Sequence, residues 1–442
     1  MKPLHFSTPE VSRRSLLRGS AFLGAGAVLA GAPMGRLAMA HGQHSPTSWK
    51  NISAMVDSYV DAGKVPNMLA TLGWGQSEPE LIAKGTQDVG GSTPADMDSL
   101  YRIYSMTKPI TGMAAMMLIA DGKLRLDQPL SEVLPTFANM KVQATPDGSL
   151  EDVVDAVRPI TIRHLLTHTA GLGYGIIQSG PIKQAYEENG INPGQVTRLS
   201  LPGVGRAEPA ESLEVFADNL AKLPLVYQPG TTWSYSVSLD LLGRVIEVAS
   251  GMPFDKFLQD RIFTPAGMTS TYFRVPESEI SRLTGNYAVM GEGLLFPMDP
   301  AKTSIYLDEP AFPFGGAGLV CSPRDYDRWQ RLLLNYGMID GTRVMSELVV
   351  RVGTSNLLPP VVDTTGTFAD GAGFGAGGRV GLGDQAGTFG WGGAAGTVAM
   401  VDMKRGLRAA LFTQYMPSNA YEVHGDFPKA VVADLMAMAS EG

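Results

Sequence analysis

A chain of 442 residues, 44% hydrophobic and 18% charged, is long enough for one large domain or two modest ones, with a sizeable core either way. Setting residues 1–40 aside leaves 30 basic against 42 acidic residues, an acidic balance that excludes a polyanion such as DNA as the expected partner. The one cysteine, Cys321, excludes an intramolecular disulfide, and its neighbours Gly318-Leu319-Val320 point to a small buried thiol.

In chain order, the first signal is one of targeting. Ser12-Arg13-Arg14-Ser15-Leu16-Leu17-Arg18 precedes a mild apolar stretch, Gly19 to Met34, and then Ala38-Met39-Ala40. A basic start, an apolar middle and a small-x-small end make residues 1–40 a signal peptide of the twin-arginine type. The expected location is therefore periplasmic or secreted, with no membrane association once the signal is removed. Residues 41–442 then form the catalytic domain.

Apolar spacing predicts a helix over 49–62, stopped by Gly63, and a hairpin over 68–74 and 81–84. A strong helix over 107–120 ends at Gly122; its Met-rich face reads as core packing. Helical patches follow at 162–167, 213–223, 238–250 and 254–262. Residues 173–212 hold several Gly and Pro with little periodicity and read as an insert or a lid. A helix over 325–336, Gly-rich turns over 371–383, strands over 395–403 and 407–414, and a last helix over 427–439 complete the chain. The order implies an α/β part (49–120 and 310–442) whose sheet uses both chain ends, with a mainly helical part (121–309) inserted.

Ser105 and Lys108 stand at i and i+3, so one helical turn presents both on the same face. The N-terminus of the following helix and a nearby ammonium both favour negative charge and can help deprotonate a serine hydroxyl. Ser-x-x-Lys alone is common, and a helix N-cap with an exposed lysine accounts for it equally well. The surrounding sequence distinguishes the two. Tyr101 to Ile110, Arg163 to Leu172, Tyr227 to Ser236 and Phe314 to Leu319 resemble, in order, segments of class C-type β-lactamases and family VIII carboxylesterases.

That resemblance, which runs from about residue 50 to the C-terminus, implies a β-lactamase-like fold: an antiparallel sheet flanked by helices (α/β) plus an inserted all-α part. It implies Ser105 as nucleophile, and Tyr235 facing Ser105 and Lys108 from the helical part. Ser238 stands where the family's second motif has Asn. A phenol ionising near pH 10 is a poor base unless a cation stabilises its phenolate, a role open to Lys108. The third motif, usually Lys-Thr-Gly, aligns with Trp391-Gly392-Gly393. Backbone N–H groups of Ser105 and Ala394 would form the oxyanion hole, with Ser238, Trp391, Gly392 and Gly393 lining the substrate site. Loss of the usual Lys, Thr and Asn disfavours β-lactams, which bring a carboxylate and an amide that need partners.

His164 and His168 have the i, i+4 spacing of metal ligands, but no glutamate or third ligand accompanies them, so both read as structural and no metal is expected. Asp240, Arg244 and Glu247 read as an ion-paired helix face. Nothing suggests a cofactor. The expected activity is hydrolysis of a small-molecule ester through an acyl-enzyme. A β-lactamase or D-amino-acid peptidase on the same machinery, or a penicillin-binding sensor without turnover, are the alternatives.

Overall fold

The computed structural model describes residues 49–192, 194–199 and 208–441. The export signal read at residues 1–40 lies outside them. The first helix, α1 (Lys50–Asp61), buries Ile52, Met55, Val56 and Tyr59 on one face. Its N-terminal N–H groups are satisfied from the far end of the chain: the Asp434 carboxylate accepts from Asn51 N at 2.8 Å and from Ile52 N at 3.0 Å. Strands β1 (Asn67–Trp74) and β2 (Glu80–Gly85) form the expected hairpin. Helices α2 (Thr107–Ala120), α3 (Ser238–Ser250) and α4 (Pro323–Leu334) follow. Five strands and a last helix finish the chain: β3 (Gly373–Phe374), β4 (Arg379–Val380), β5 (Thr388–Gly392), β6 (Val398–Asp402), β7 (Leu407–Phe412) and α5 (Val423–Glu441).

The main sheet runs β3-β4-β5-β6-β7-β1-β2, every pair antiparallel. Pairing of β1 with β7 sets Leu69 opposite Phe412 and so joins the early and late parts of the chain within the sheet. Both strands are buried almost throughout, as apolar strands covered on two faces must be, whereas edge strand β2 alternates between half-buried and exposed. One face carries α1 and α5 on a core of Ile52, Val56, Met68, Leu411 and Phe427. The other face carries α2, α4 and the helical layer, with the larger core between them. This is the architecture that the sequence resemblance implies.

The middle of the chain is tied back to the sheet by small strands. Thr271–Tyr272 pairs with Val320–Cys321, which pairs with Tyr101–Arg102, and Asn286–Val289 pairs with Tyr415–Met416. Cys321 is buried, as expected, with its Sγ 3.2 Å from Thr271 Oγ1. Residues 173–212 hold more structure than their composition suggests: helix Gly180–Glu188 buries Ile182, Ala185 and Tyr186, and the Tyr186 hydroxyl accepts from Gly173 N at 2.9 Å. Residues 193 and 200–207 of that segment lie outside the described ones.

Candidate active site

Ser105 sits in a 3-10 turn, Tyr104–Met106, that runs directly into α2. Helical spacing brings Lys108 beneath it: Lys108 Nζ donates to Ser105 Oγ at 3.1 Å and to the Gly316 carbonyl at 2.7 Å. The lysine is fully buried. Its ammonium lies over the Tyr235 ring, 4.6 Å from the centroid, and 5.4 Å from that of Tyr174. Two hydrogen bonds and two aromatic faces offset part of the cost of a cation that has lost its water.

Two backbone features hold the serine in place. Tyr104 has φ 41°, a left-handed conformation that costs a bulky residue about 1–3 kcal/mol and persists only where the surroundings enforce it. They do so by burying its ring edge-on to Tyr306. The second feature is Gly393, just past β5. A Cβ there would stand 2.3 Å from the Ile103 carbonyl oxygen, so only glycine lets the end of β5 come this close to the serine turn. Tyr104 and Ala395, with Ala394 packed beside them, form one small cluster there.

Tyr235 is also buried, and the Trp391 indole N–H donates to its hydroxyl oxygen at 3.1 Å. An indole N–H only donates, so the phenol's own proton is left for another acceptor. Trp391 thus occupies the third-motif position as a partner of Tyr235, inside an aromatic group that includes Trp233 and Phe374. Ser238 is not among the hydrogen-bond partners of Ser105 or Lys108 within the described residues. It is fully buried in the first turn of α3, with its Oγ 2.7 Å from Ser236 Oγ, which lies 2.9 Å from His168 Nδ1.

The two histidines have separate local roles. His164 completes a capping box with Thr161 at the start of helix Ile162–Leu166. The His168 ring lies 4.8 Å from that of Tyr235, and burial together with the Lys108 charge holds its pKa well below the usual value, so it is neutral.

The reading of Asp240 as part of an ion-paired helix face needs correction. Arg244 does pair with Glu247 at 3.2 Å and with Glu214 at 2.8 Å. Asp240 instead is fully buried and accepts from Gly316 N at 2.8 Å, a contact made across 76 residues of sequence. Burial raises its pKa to about 6, against the lowering effects of Lys108 and the Gly316 N–H. Sequence reasoning did not place Tyr174, Asp240 or the Gly316 carbonyl in the site. The paired glycines of Phe314-Gly315-Gly316 were the available signal, because adjacent glycines often mark a close backbone approach.

A model of the beta-lactamase family matches residues 49–433. The chain belongs to this family of serine hydrolases. Protein Rv1367c of Mycobacterium tuberculosis is 32% identical over 299 residues, covering 68% of this chain and 70% of that protein. Esterase EstB of Burkholderia gladioli is 31% identical over 364 residues, covering 77% of this chain and 82% of the esterase. Among solved structures, EstCE1, described as a hydrolase with promiscuous acyltransferase activity, superposes with a TM-score of 0.66 at 25% identity, over 86% of this chain and 98% of that one.

Proposed function

We propose that this family member hydrolyses small carboxylic esters through an acyl-enzyme on Ser105. The hydrogen bond from Lys108 Nζ to Ser105 Oγ, beneath Tyr235, carries the reading. Ser105 Oγ attacks the ester carbonyl carbon while its proton passes to Tyr235, acting as phenolate beside the Lys108 ammonium. Backbone N–H groups of Ser105 and Ala394 receive the oxyanion. The C–O bond to the alcohol then breaks, and the departing oxygen takes the proton from Tyr235. Water, giving its proton to the same phenolate, attacks the acyl carbon; the bond from that carbon to Ser105 Oγ then breaks, the acid leaves, and Tyr235 returns the proton to Oγ, which restores Ser105 and the phenolate.

Ester preference rests on Trp391. At the position where a β-lactam carboxylate would seek a cation and a hydroxyl, this chain offers an indole whose N–H is engaged with Tyr235. An unpaired buried polar group costs ~1–3 kcal/mol, so a β-lactam loses affinity there that a simple ester does not. EstB, named an esterase, supports the same reading. Export through the twin-arginine-type segment at residues 1–40 is part of the proposal.

The test compares kcat/KM for p-nitrophenyl butyrate and a chromogenic cephalosporin on one preparation, with fluorophosphonate labelling followed by intact mass. The ester should be the better substrate, the wild type should label once, on Ser105, and Ser105→Ala should neither label nor turn over. A higher value for the cephalosporin, or labelling at another serine, would overturn the proposal.

A further inference from the structure

Lys108 is fully buried beside the serine, and what keeps it charged and aimed is not explained by Ser105 and Tyr235 alone. Residue Gly316 connects it to a carboxylate. Gly316 N donates to Asp240 Oδ1 at 2.8 Å, and the carbonyl of the same residue accepts from Lys108 Nζ at 2.7 Å. The approach depends on missing side chains: a Cβ on Gly315 would lie 2.4 Å from the Leu239 carbonyl oxygen, and one on Gly316 would lie 2.5 Å from Asp240 Oδ2. Thr111 Oγ1 fixes the same loop from α2 by donating to the Gly315 carbonyl at 2.7 Å. Donor and acceptor of one residue thus point to an anion on one side and a cation on the other.

We propose that Asp240 is a positioning residue: through Gly316 its carboxylate holds Lys108 as an ammonium directed at Ser105, which leaves proton acceptance to Tyr235. The proposal rests on the Ser105 reading above. An ammonium that donates to Ser105 Oγ has no lone pair with which to accept the serine's proton. The charge of Asp240 matters beyond its hydrogen bond, because a neutral amide oxygen could accept from Gly316 N equally well. Asp240 is fully buried, and among the described residues its carboxylate has a backbone N–H and no cation as direct partner, a costly arrangement that scaffolding alone does not require. The ionisable groups that face Asp240 are Lys108 from α2 and Tyr174, which itself lies against Lys108 and Tyr235. Arg244, Glu214 and Glu247 pair with one another.

The test is the pH profile of ester hydrolysis for the wild type, Asp240→Asn and Asp240→Ala, with Ser105→Ala as the blank. The wild-type kcat/KM should fall as the pH drops through about 6, where the carboxylate takes up its proton. Asp240→Asn keeps an acceptor and loses the charge. It should lose about 10–100-fold in kcat with KM changed less than about twofold, a smaller loss than the ~10²–10⁴-fold of removing an acid/base group itself. The acid-side inflection should vanish, and Asp240→Ala should be slower still. Wild-type rates and an unchanged acid limb in Asp240→Asn would overturn the proposal, as would a wild-type profile flat through pH 6. If Asp240→Asn does not fold, Gly316→Ala, whose Cβ displaces the carboxylate, should move the inflection; an unmoved inflection refutes the role. Turnover by Ser105→Ala would refute the underlying reading instead, so the two failures are distinguishable.

Discussion

Replacing Asp240 by Asn should make the fold more tolerant of neutral pH while it slows the enzyme. Burial displaces the Asp240 pKa from the ordinary 3.8 to about 6. Between those values the folded state keeps a proton that the unfolded chain has released. The unfolded state then binds fewer protons, and stability falls as pH rises, by about 1.4 kcal/mol per pH unit. The stabilising contribution is fully present below pH 3.8 and is lost as pH passes through 6, about 3 kcal/mol in all. The amide introduced by Asp240→Asn cannot titrate. Its packing cost is the same at every pH and cancels from the pH dependence. The assay is urea unfolding of wild type and Asp240→Asn at a series of pH values between about 4 and 8. The difference, wild type minus variant, should decline by about 2.4 kcal/mol over that range and level off above pH 7. A difference that stays flat would mean that Asp240 titrates like an exposed carboxylate. One that grows with pH would mean an ordinary ion-paired aspartate, and either refutes the reasoning.

Tyr235→Phe should lower kcat by roughly 10²–10⁴-fold, and Lys108→Ala by at least as much; steady-state kinetics on p-nitrophenyl butyrate checks both, and near-normal rates in either would send the proton elsewhere. N-terminal sequencing of the exported protein should begin at or near His41, and a mature chain retaining Arg13 and Arg14 would contradict export with cleavage.

Local physics made much of this molecule legible from sequence. Helix α2 and the Ser105–Lys108 pair follow from helical spacing, and the β1–β2 hairpin from short apolar runs between turn residues. The last helix begins at Val423, four residues before the expected start. Strand β5 carries two glycines in Thr388–Gly392, hence little β pattern, and its place is legible only through the family's third motif. Helix Gly180–Glu188 is hidden by surroundings rich in Gly and Pro, although Ile182, Ala185 and Tyr186 have the spacing of one buried face. Asp240 illustrates the deeper limit. Its nearest sequence partner, Arg244 at i+4, is a sound expectation on an isolated helix. The loop at Gly315-Gly316 arrives from 76 residues away and takes the carboxylate inward, which no local pattern records.

The site's geometry therefore depends on groups that take no direct part in bond making. Left-handed Tyr104 holds a strained backbone, while Gly393 against Ile103 and Gly316 against Asp240 place backbone where any side chain would clash. Together they set three elements around one buried ammonium: the serine turn, the end of β5 and the start of α3. A buried cation with two hydrogen bonds is poorly compensated by neutral groups alone. The faces of Tyr235 and Tyr174 and the Asp240 charge beyond Gly316 supply what is missing, and each of them also fixes where the ammonium points. On the proposed role of Asp240, the stability given up there above pH 6 serves to aim Lys108 at Ser105 Oγ. Trp391 commits the remaining direction by donating to the Tyr235 oxygen. With Lys108 and Trp391 both placed as donors, the proposed mechanism assigns acceptance of the serine's proton to Tyr235, whose ring lies against the Lys108 ammonium.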